Sequence, residues 1–273
     1  MKLVRVYNYE KFNIPFDHRL RLYEIKECKD IHGIVLLKEF MSTQTVSFRF
    51  FNPLEERKLN ILFEKIIALA KSLKSKSIIY YTLKPDAFGG FLLEKGGHPI
   101  KRREMFLDLK KYTPLTLPIP LNIKFGPFLI TPLKEHIDLC FDAIPEYDRE
   151  VFSTFSPEEL FEFYTLLYVG GEGVFLPEYS INIYYNEKLA GFIMINVFLK
   201  TKITISDIVI FSPYQGRGLG KILLNESIRR MQQNREKNLF LSVTYKNKKA
   251  YNMYVKFGFE FLKDYLVYTY FLI

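Results

Sequence analysis

Three glycines that alternate between residues 215 and 221 could form an anion-binding turn. The segment reads Phe211-Ser-Pro-Tyr-Gln-Gly-Arg-Gly-Leu-Gly-Lys221 and lies between a predicted strand and a predicted helix. Glycine lets the backbone approach a ligand closely and adopt φ values that are costly for other residues. The N–H groups of such a turn and of the first helical turn converge on one point, where the helix dipole also favours negative charge. The segment therefore predicts a site for a phosphate or a pyrophosphate.

Two common nucleotide-binding motifs fit this segment poorly. A P-loop has four residues between its first glycine and a Gly-Lys pair, which Ser or Thr follows. Here Gly216 lies one residue too close to Gly220-Lys221, and Ile222 has no hydroxyl for magnesium. A Rossmann fingerprint has the spacing Gly-x-Gly-x-x-Gly and opens a βαβ unit. This segment has Gly-x-Gly-x-Gly and comes late in the chain, after a predicted hairpin.

A third motif fits, and a second one follows it. The pattern Gln215-x-x-Gly218-x-Gly220 resembles the acetyl-CoA signature of the GNAT superfamily of acetyltransferases. Downstream, Asn247 and Ala250 precede Met253-Tyr-Val-Lys-Phe-Gly-Phe259, which is similar to the family's second signature. The resemblance covers about 150 residues, from Phe125 to the end of the chain. It implies an acetyl-CoA-dependent N-acetyltransferase in which an amine attacks the thioester directly.

The resemblance also implies where acetyl-CoA or CoA would bind, as a co-substrate and without a metal. Backbone N–H groups of the glycine turn would bind the pyrophosphate, and the edge of the preceding strand would pair with the pantetheine arm. Asn247 would contact pantetheine, or it would cap the short helix that follows. The residues that the resemblance assigns to the co-substrate are Ile208, Val209, Ile210, Gln215, Gly216, Arg217, Gly218, Leu219, Gly220, Lys221 and Asn247.

Tyr254 is the candidate acid that would protonate the leaving thiolate. A phenol with a pKa of about 10 is a reasonable partner for a thiol with a pKa of about 8–9. Tyr245 and Tyr251 compete for this role, but the spacing from Gly258 favours Tyr254.

The general base is less well defined, and Asp207 is the candidate. Relatives often carry two acids on this strand, where the present chain has Ser206-Asp207. Because side chains alternate across a strand, Asp207 could face away from the acceptor while Ser206 faces it. Glu172 and Glu178 are further candidates for proton removal or acceptor recognition.

The elements that would position these residues form a β-α-α-β-β-β-α-β-α-β order after residue 120. The strand–helix–strand order near the end predicts a parallel pair within a mixed sheet. The predicted strands are 125–133, 180–185, 189–199, 204–211, 239–243 and 259–272, and the predicted helices are 135–147, 157–168, 219–235 and 248–256.

The first half of the chain repeats part of this order. Phe50-Phe-Asn-Pro53 aligns with Ile210-Phe-Ser-Pro213 at an offset of 160, and a helix, a strand, a short helix and a strand follow in both. This repetition predicts two copies of one fold. At that offset Glu56, Lys58 and Asn60 replace the three glycines, so the first copy is predicted to be degenerate and to bind no acetyl-CoA.

The composition of the chain limits which other partners and structural features are expected. The net charge of +9 is dispersed along the chain, so it carries little weight for nucleic acid as a partner. No uncharged apolar stretch reaches 18 residues, and Cys28 and Cys140 are far apart, so neither a membrane span nor a disulfide is expected. We expect a cytoplasmic monomer or homodimer that binds acetyl-CoA and an amine acceptor.

The sequence therefore predicts an α/β fold with two GNAT-like lobes, each a mixed, mostly antiparallel sheet with helices on both faces. The proline-rich segment 112–120 predicts a linker, which gives a degenerate lobe over residues 1–117 and a catalytic domain over 118–273. A non-catalytic acyl-CoA-binding or protein-interaction module with the same fold is the alternative to the enzyme.

Overall fold

The computed structural model of the protein describes residues 1–14, 18–152, 155–199 and 201–272. It is a mixed α/β fold, which confirms the predicted class, and it divides into two compact units. Unit 1 comprises Met1–Lys101 and Tyr265–Ile273, and unit 2 comprises Arg102–Asp264. In the described part of the chain, no helix is both long and apolar enough to cross a membrane.

Unit 1 contains a six-stranded sheet in the order β1-β2-β3-β4-β5-β13. All neighbours are antiparallel except β4 and β5. Helices α1 and α2 pack with Val35 and Leu37 in one core. On the other face Leu22 and Ile34 pack against Tyr9 of the N-terminal segment. The elements of this unit are β1 (Lys2–Val6), β2 (Leu20–Glu27), β3 (Asp30–Phe40), β4 (Thr43–Phe50), α1 (Glu56–Ser72), β5 (Ser77–Thr82), α2 (Ala87–Glu94) and the C-terminal part of β13 (Glu260–Phe271).

Unit 2 contains a sheet in the order β6-β12-β11-β10-β9-β7, and the short strand β8 pairs with β10. Only β11 and β12, of the described strand pairs in this sheet, are parallel. The elements are β6 (His98–Asp108, in this unit from Arg102), β7 (Ile123–Pro127), α3 (Ile130–Lys134), α4 (Ile137–Ala143), α5 (Glu146–Val151), α6 (Pro157–Tyr168), β8 (Val174–Phe175), β9 (Ile181–Tyr185), β10 (Lys188–Phe198), β11 (Lys202–Ile210), α7 (Leu219–Gln233), β12 (Asn238–Thr244) and α8 (Lys248–Lys256).

The two faces of the sheet in unit 2 carry different helices. Helices α7 and α8 pack on the face that presents Ile205, Leu241 and Val243. Helix α6 packs on the opposite face, where the ring of Tyr164 meets that of Phe192 at a centroid distance of 5.1 Å. Apolar side chains thus leave the sheet on both sides, as expected for strands that are covered by helices on both faces.

One strand in the sheet of each unit comes from the other half of the chain. β6 follows α2 in sequence, yet Arg102 to Asp108 pair with β12 of unit 2. β13 follows α8, yet Leu266 to Phe271 pair with β5 of unit 1. The predicted boundary at 117/118 therefore lies inside unit 2. The strand propensity of a segment indicates that it forms a strand. It does not indicate which segment, distant in sequence, that strand pairs with.

Two predicted elements are wrong, between residues 125 and 147. The strand predicted over 125–133 ends at Pro127, and the short helix α3 follows it. The single helix predicted over 135–147 is divided into α4 and α5. Pro145 explains the division because it holds the preceding Ile144 in extended geometry, with φ of −93° and ψ of 123°. By contrast, α6 and α8 have the predicted limits, and the Ser156 side chain caps α6 by accepting from the Glu159 N–H.

Candidate functional site

A cavity of about 610 Å³ opens in unit 2 between the carboxyl-terminal ends of β11 and β12. These two parallel strands have one paired position in register, Thr204 with Phe240, so they diverge beyond it. The wall on one side is residues 205–210 of β11, and on the other side it is residues 241–244 of β12. The further candidates Glu172 and Glu178 do not line this cavity. Of the residues assigned to the co-substrate, the acid and the base, all but Arg217 line it: Asp207, Ile208, Val209, Ile210, Gln215, Gly216, Gly218, Leu219, Gly220, Lys221, Asn247 and Tyr254.

The glycine turn has the geometry of an anion cradle. Gly216 and Gly218 both have a φ of +78°, which is unfavourable for residues with a side chain. A Cβ atom at either position would meet no other atom within 4 Å, so the backbone there is open. Gly218 is the N-cap of α7, and the first N–H groups of a helix have no acceptor within the helix. The turn therefore fits a phosphate-bearing ligand.

Two other glycine-turn residues have specific contacts. Gln215 donates from its side-chain Nε2 to the Ile210 carbonyl at 3.0 Å, which ties the turn to the end of β11. The Arg217 guanidinium points elsewhere, over the ring of Tyr185 at 5.0 Å, and donates to the Tyr185 hydroxyl at 3.3 Å. Arg217 is thus the one predicted co-substrate residue that lies outside the cavity wall.

Tyr254 is buried in α8, with 6% of its surface exposed. Its ring packs edge-on against Phe259. Its hydroxyl has no hydrogen-bond partner among the described residues, yet it is not one of the fully enclosed polar atoms. Burial, followed by the negative charges of Asp207 and Asp148, raises the pKa of Tyr254 well above its ordinary value. The phenol is therefore protonated at neutral pH and free to donate into the cavity.

A β-bulge determines which way Asp207 faces. Met194 of β10 pairs with Asp207, whereas Ile195 pairs with Ile205, so Ser206 is the extra residue. In a regular strand Asp207 would lie on the same face as Ile205, which packs with α7. Instead the hydroxyl of Tyr164 in α6 donates to Asp207 Oδ2 at 2.7 Å. The bulge thus turns Asp207 to the α6 face, and simple alternation did not predict this orientation.

Asp207 is a carboxyl with an unusual pKa. Although part of its surface is accessible from the cavity, protein surrounds the carboxylate, and burial raises the pKa of Asp207 to about 6. Hydrogen bonds from Tyr164 and from the Ile208 N–H lower the pKa of this group and offset part of that effect. Ser206, the alternative considered above, donates to Asn196 Oδ1 at 2.7 Å and is held by β10.

Asn247 and Asp148 join the start of α8 to α5. The Asn247 side chain accepts from the Ala250 N–H at 3.1 Å, which is a helix cap, and it donates to Asp148 at 3.1 Å. Asp148 also accepts from the Thr244 hydroxyl. Of the two roles considered for Asn247, the capping role is present, and the side chain lines the cavity as well.

Four residues of this region were missed by sequence reasoning: Arg102, Asp148, Tyr164 and Thr244. Arg102 lies in the run Lys-Arg-Arg-Glu, which is typical of a solvated strand, and Asp148 lies in an ordinary charged helical segment. No local pattern distinguishes such residues from surface charge, because their roles come from contacts between distant segments. In the described residues, no cluster of three or more His, Cys, Asp or Glu is arranged to hold a metal ion.

The corresponding loop of unit 1 lacks the turn altogether. Eight residues, 211–218, join β11 to α7, whereas five residues, 51–55, join β4 to α1. The offset of 160 therefore fails at the start of the helix, and Glu56 corresponds to Leu219 rather than to Gly216. Lys58 in the first turn of α1 donates to Glu27 at 2.7 Å. Unit 1 thus has neither the glycines nor the length of loop that forms the cradle.

Comparisons with known proteins agree with this geometry. Residues 139–259 match the model of the acetyltransferase (GNAT) family. The fold is similar to that of a GCN5-related N-acetyltransferase from Sphaerobacter thermophilus, with a TM-score of 0.65 and 13% identity over 96% of this chain and 84% of that chain. It is also similar to a tandem GNAT protein from the clavulanic acid biosynthesis pathway, with a TM-score of 0.61 and 14% identity over 93% and 83% of the two chains.

A third similar structure is a conserved protein of unknown function from Staphylococcus epidermidis, with a TM-score of 0.62 and 12% identity over 97% of both chains. At these identities the similarity to the three structures concerns the fold. The match to the family model includes both sequence signatures, residues 215–220 and 247–259, in one domain. Residues 139–259 of this chain therefore form a domain that matches the GNAT acetyltransferase family, and the fold of the chain is similar to that of a tandem GNAT protein.

Proposed function

We propose that unit 2 is an acetyl-CoA-dependent N-acetyltransferase that transfers an acetyl group to a primary amine. One observation carries this proposal: a single cavity connects an anion-binding glycine turn to two buried proton-transfer groups, Asp207 and Tyr254. A non-catalytic binding module would need the turn but would have no use for a carboxyl with a pKa near neutrality.

The residues present fit acetyl-CoA. The turn around Gly216 and Gly218 leaves its backbone open to a ligand and leads into the start of α7, which suits a pyrophosphate. The diverging edge of β11 suits the peptide-like pantetheine arm. Ile208, Val209 and Ile210 form that edge, and Lys221 and Asn247 line the same cavity. When bound, acetyl-CoA supplies an acyl thioester that an amine attacks, with loss of the CoA thiol.

Tyr254 would act as the general acid. Its raised pKa keeps the phenol protonated, and its hydroxyl has no competing protein acceptor in the part of the chain described. The same burial disfavours a free thiolate and raises its basicity, which lowers the cost of proton transfer from a weakly acidic phenol. The donor site is thus matched to a buried leaving group.

Asp207 would act as the general base that receives the proton of the amine. A pKa of about 6 leaves this carboxyl mostly ionised at neutral pH and more basic than an ordinary aspartate. Tyr164 holds the carboxylate on the α6 face of the sheet, which keeps one of its oxygens fixed. Charge attraction would also draw a protonated amine toward it before proton transfer.

The base role predicts a specific pH dependence. With a weakly basic acceptor that is deprotonated throughout, kcat is expected to rise as the pH passes about 6 and to level off above it, because Asp207 must lose its proton first. Asp207→Asn should lower kcat by about 10²- to 10⁴-fold and abolish the change near pH 6. Asp138→Asn, an exposed α4 residue outside the cavity, is the control. A persistent change near pH 6 in Asp207→Asn would assign the titration to another group.

An amine panel with two readouts separates an enzyme from a pure binder. Thiol release from acetyl-CoA is measured with polyamines, amino acids, aminoglycosides and peptides as acceptors, and acetyl-CoA binding is measured by thermal unfolding. At 100 times its dissociation constant, acetyl-CoA should stabilise the protein by about 2.7 kcal/mol. Stabilisation together with amine-dependent thiol release supports the enzyme. Stabilisation without thiol release for any acceptor class would favour the binding module. The absence of both stabilisation and thiol release would contradict the enzyme and the binding module alike.

A further inference from the structure

We propose that the amine acceptor also carries a carboxylate, as an amino acid does, and that Arg102 binds this carboxylate. The inference rests on the proposed function, because it names the class of acceptor for the same cavity. It concerns a side chain that the family signatures of this chain do not include.

Arg102 enters the cavity from β6. Its Cα lies opposite that of Thr244 on β12, so both side chains leave the sheet on the face that carries α5. The guanidinium lies over the ring of Phe152 at 5.4 Å. Only 6% of the residue is exposed, yet it lines the cavity. Arg102 is therefore a buried cation at the wall of the site and not a surface charge.

Some nitrogen atoms of the Arg102 guanidinium have no hydrogen-bond acceptor among the described residues. Nη2 donates to the Ser242 carbonyl at 2.8 Å, while Nε is enclosed and has no acceptor. Nη1 has no hydrogen-bond partner among the described residues and is not enclosed, so it faces open space. A buried charge without a partner is costly. An anion in the cavity would remove much of that cost.

The two charged residues that follow Arg102 on the same strand are paired. Arg103 forms a two-point ion pair with Asp264, at 2.8 and 3.2 Å. Glu104 forms ion pairs with Lys202 and Lys263. In the described residues no carboxylate lies within ion-pair distance of Arg102. The charges of Arg103 and Glu104 are thus neutralised by side chains of other segments, whereas Arg102 faces the cavity and can bind a ligand there.

The cavity also offers charges of the opposite sign. Asp148 and Asp207 line it with Arg102, and Arg102 is close enough for its charge to lower the pKa of Asp207. Carboxylates favour an ammonium group, and a guanidinium favours a carboxylate, which Arg102 could bind through Nη1. A molecule that carries both groups matches this set better than a simple amine. The phosphates of CoA are a poorer match, because the glycine turn begins α7 on the other face of the sheet.

The test compares matched acceptors that differ only in the carboxylate. Glycine, β-alanine, L-lysine and L-phenylalanine are each paired with the corresponding carboxamide. Thermal stabilisation of the CoA-saturated protein reports binding, and thiol release from acetyl-CoA reports transfer. At least one amino acid is expected to exceed its amide by about 10- to 100-fold in affinity or kcat/KM, as the loss of a hydrogen-bonded charge pair implies.

Variants assign that preference to Arg102. Arg102→Gln should remove it while CoA still binds, and Arg102→Lys should retain part of it. Arg103→Gln, which removes the same charge from the other face of the strand, should leave it intact. If Arg102→Gln fails to fold, the test rests on the comparison of amino acids with their amides in the wild type, and on the partial preference expected in Arg102→Lys.

The outcomes distinguish this inference from the function on which it rests. Stabilisation by an amino acid but not by its amide, without acetyl transfer, would support the carboxylate site and contradict the enzyme. Equal transfer to amino acids and amides, or a preference that persists in Arg102→Gln, would overturn the inference and leave the enzyme. A loss of CoA binding in Arg102→Gln would place Arg102 in the co-substrate site and would also overturn it.

Discussion

Gly218→Val should abolish acetyl-CoA binding, with a loss of affinity of at least about 100-fold. Gly218 has a φ of +78° and caps the start of α7, and the space that a Cβ would enter there is open. A branched side chain would occupy that space and force the backbone out of its present conformation. Loss of two charge-assisted hydrogen bonds, at about 1.5 kcal/mol each, corresponds to this factor. The measurement is the shift in thermal unfolding on addition of acetyl-CoA.

Two control variants distinguish a specific loss of the anion-binding turn from a general loss of folded structure. Gly96 has a φ of +92°, and a Cβ there would have no atom within 4 Å, so Gly96→Val in unit 1 imposes a similar backbone strain away from the cavity. At Gly220 a Cβ would lie 3.7 Å from Ile210 and 3.8 Å from Met253, which is ordinary contact. Both Gly96→Val and Gly220→Ala should keep the acetyl-CoA shift. A normal shift in Gly218→Val would remove the turn from the binding site.

Tyr254→Phe should reduce kcat by about 10²- to 10⁴-fold and leave acetyl-CoA affinity unchanged. The hydroxyl makes no hydrogen bond to a described residue, so its removal leaves no protein group unsatisfied. The phenyl ring would keep its contact with Phe259, and the melting temperature should therefore change little. Steady-state kinetics across the pH range, together with acetyl-CoA titration, measure both quantities.

Tyr251→Phe is the matched control for the tyrosine. Tyr251 lies three residues earlier on α8, but its ring lies under the Arg103 guanidinium at 5.1 Å and it does not line the cavity. Turnover by Tyr251→Phe should remain near that of the wild type. If Tyr254→Phe kept full kcat at every pH, the protonation of the thiolate would have to come from elsewhere.

The parts of the site that the sequence predicts are those determined by local structure. The conformation of a glycine turn and the start of α7 depend on adjacent residues, so Gly216, Gly218 and the helix after them could be inferred from their order alone. The limits of α6 and α8 were predicted for the same reason, because Ser156 and Asn247 cap them from neighbouring positions.

The parts that the sequence does not predict depend on pairing between distant segments. The bulge at Ser206 arises from the register between β10 and β11, and it alone brings Asp207 to the face of Tyr164. Arg102 reaches the cavity because β6 pairs with β12, and its contact with Ser242 spans 140 positions of the chain. Neither residue carries a local signal of its environment.

The proposed function gives the chain one acetyl-CoA site, formed by the turn at 215–220. Calorimetric titration of the wild-type protein with acetyl-CoA counts the sites. We expect a stoichiometry of one acetyl-CoA per chain, and no measurable binding to Gly218→Val under the same conditions. The claim would be contradicted if the wild type gave no binding heat, or if one equivalent of acetyl-CoA still bound to a folded Gly218→Val protein.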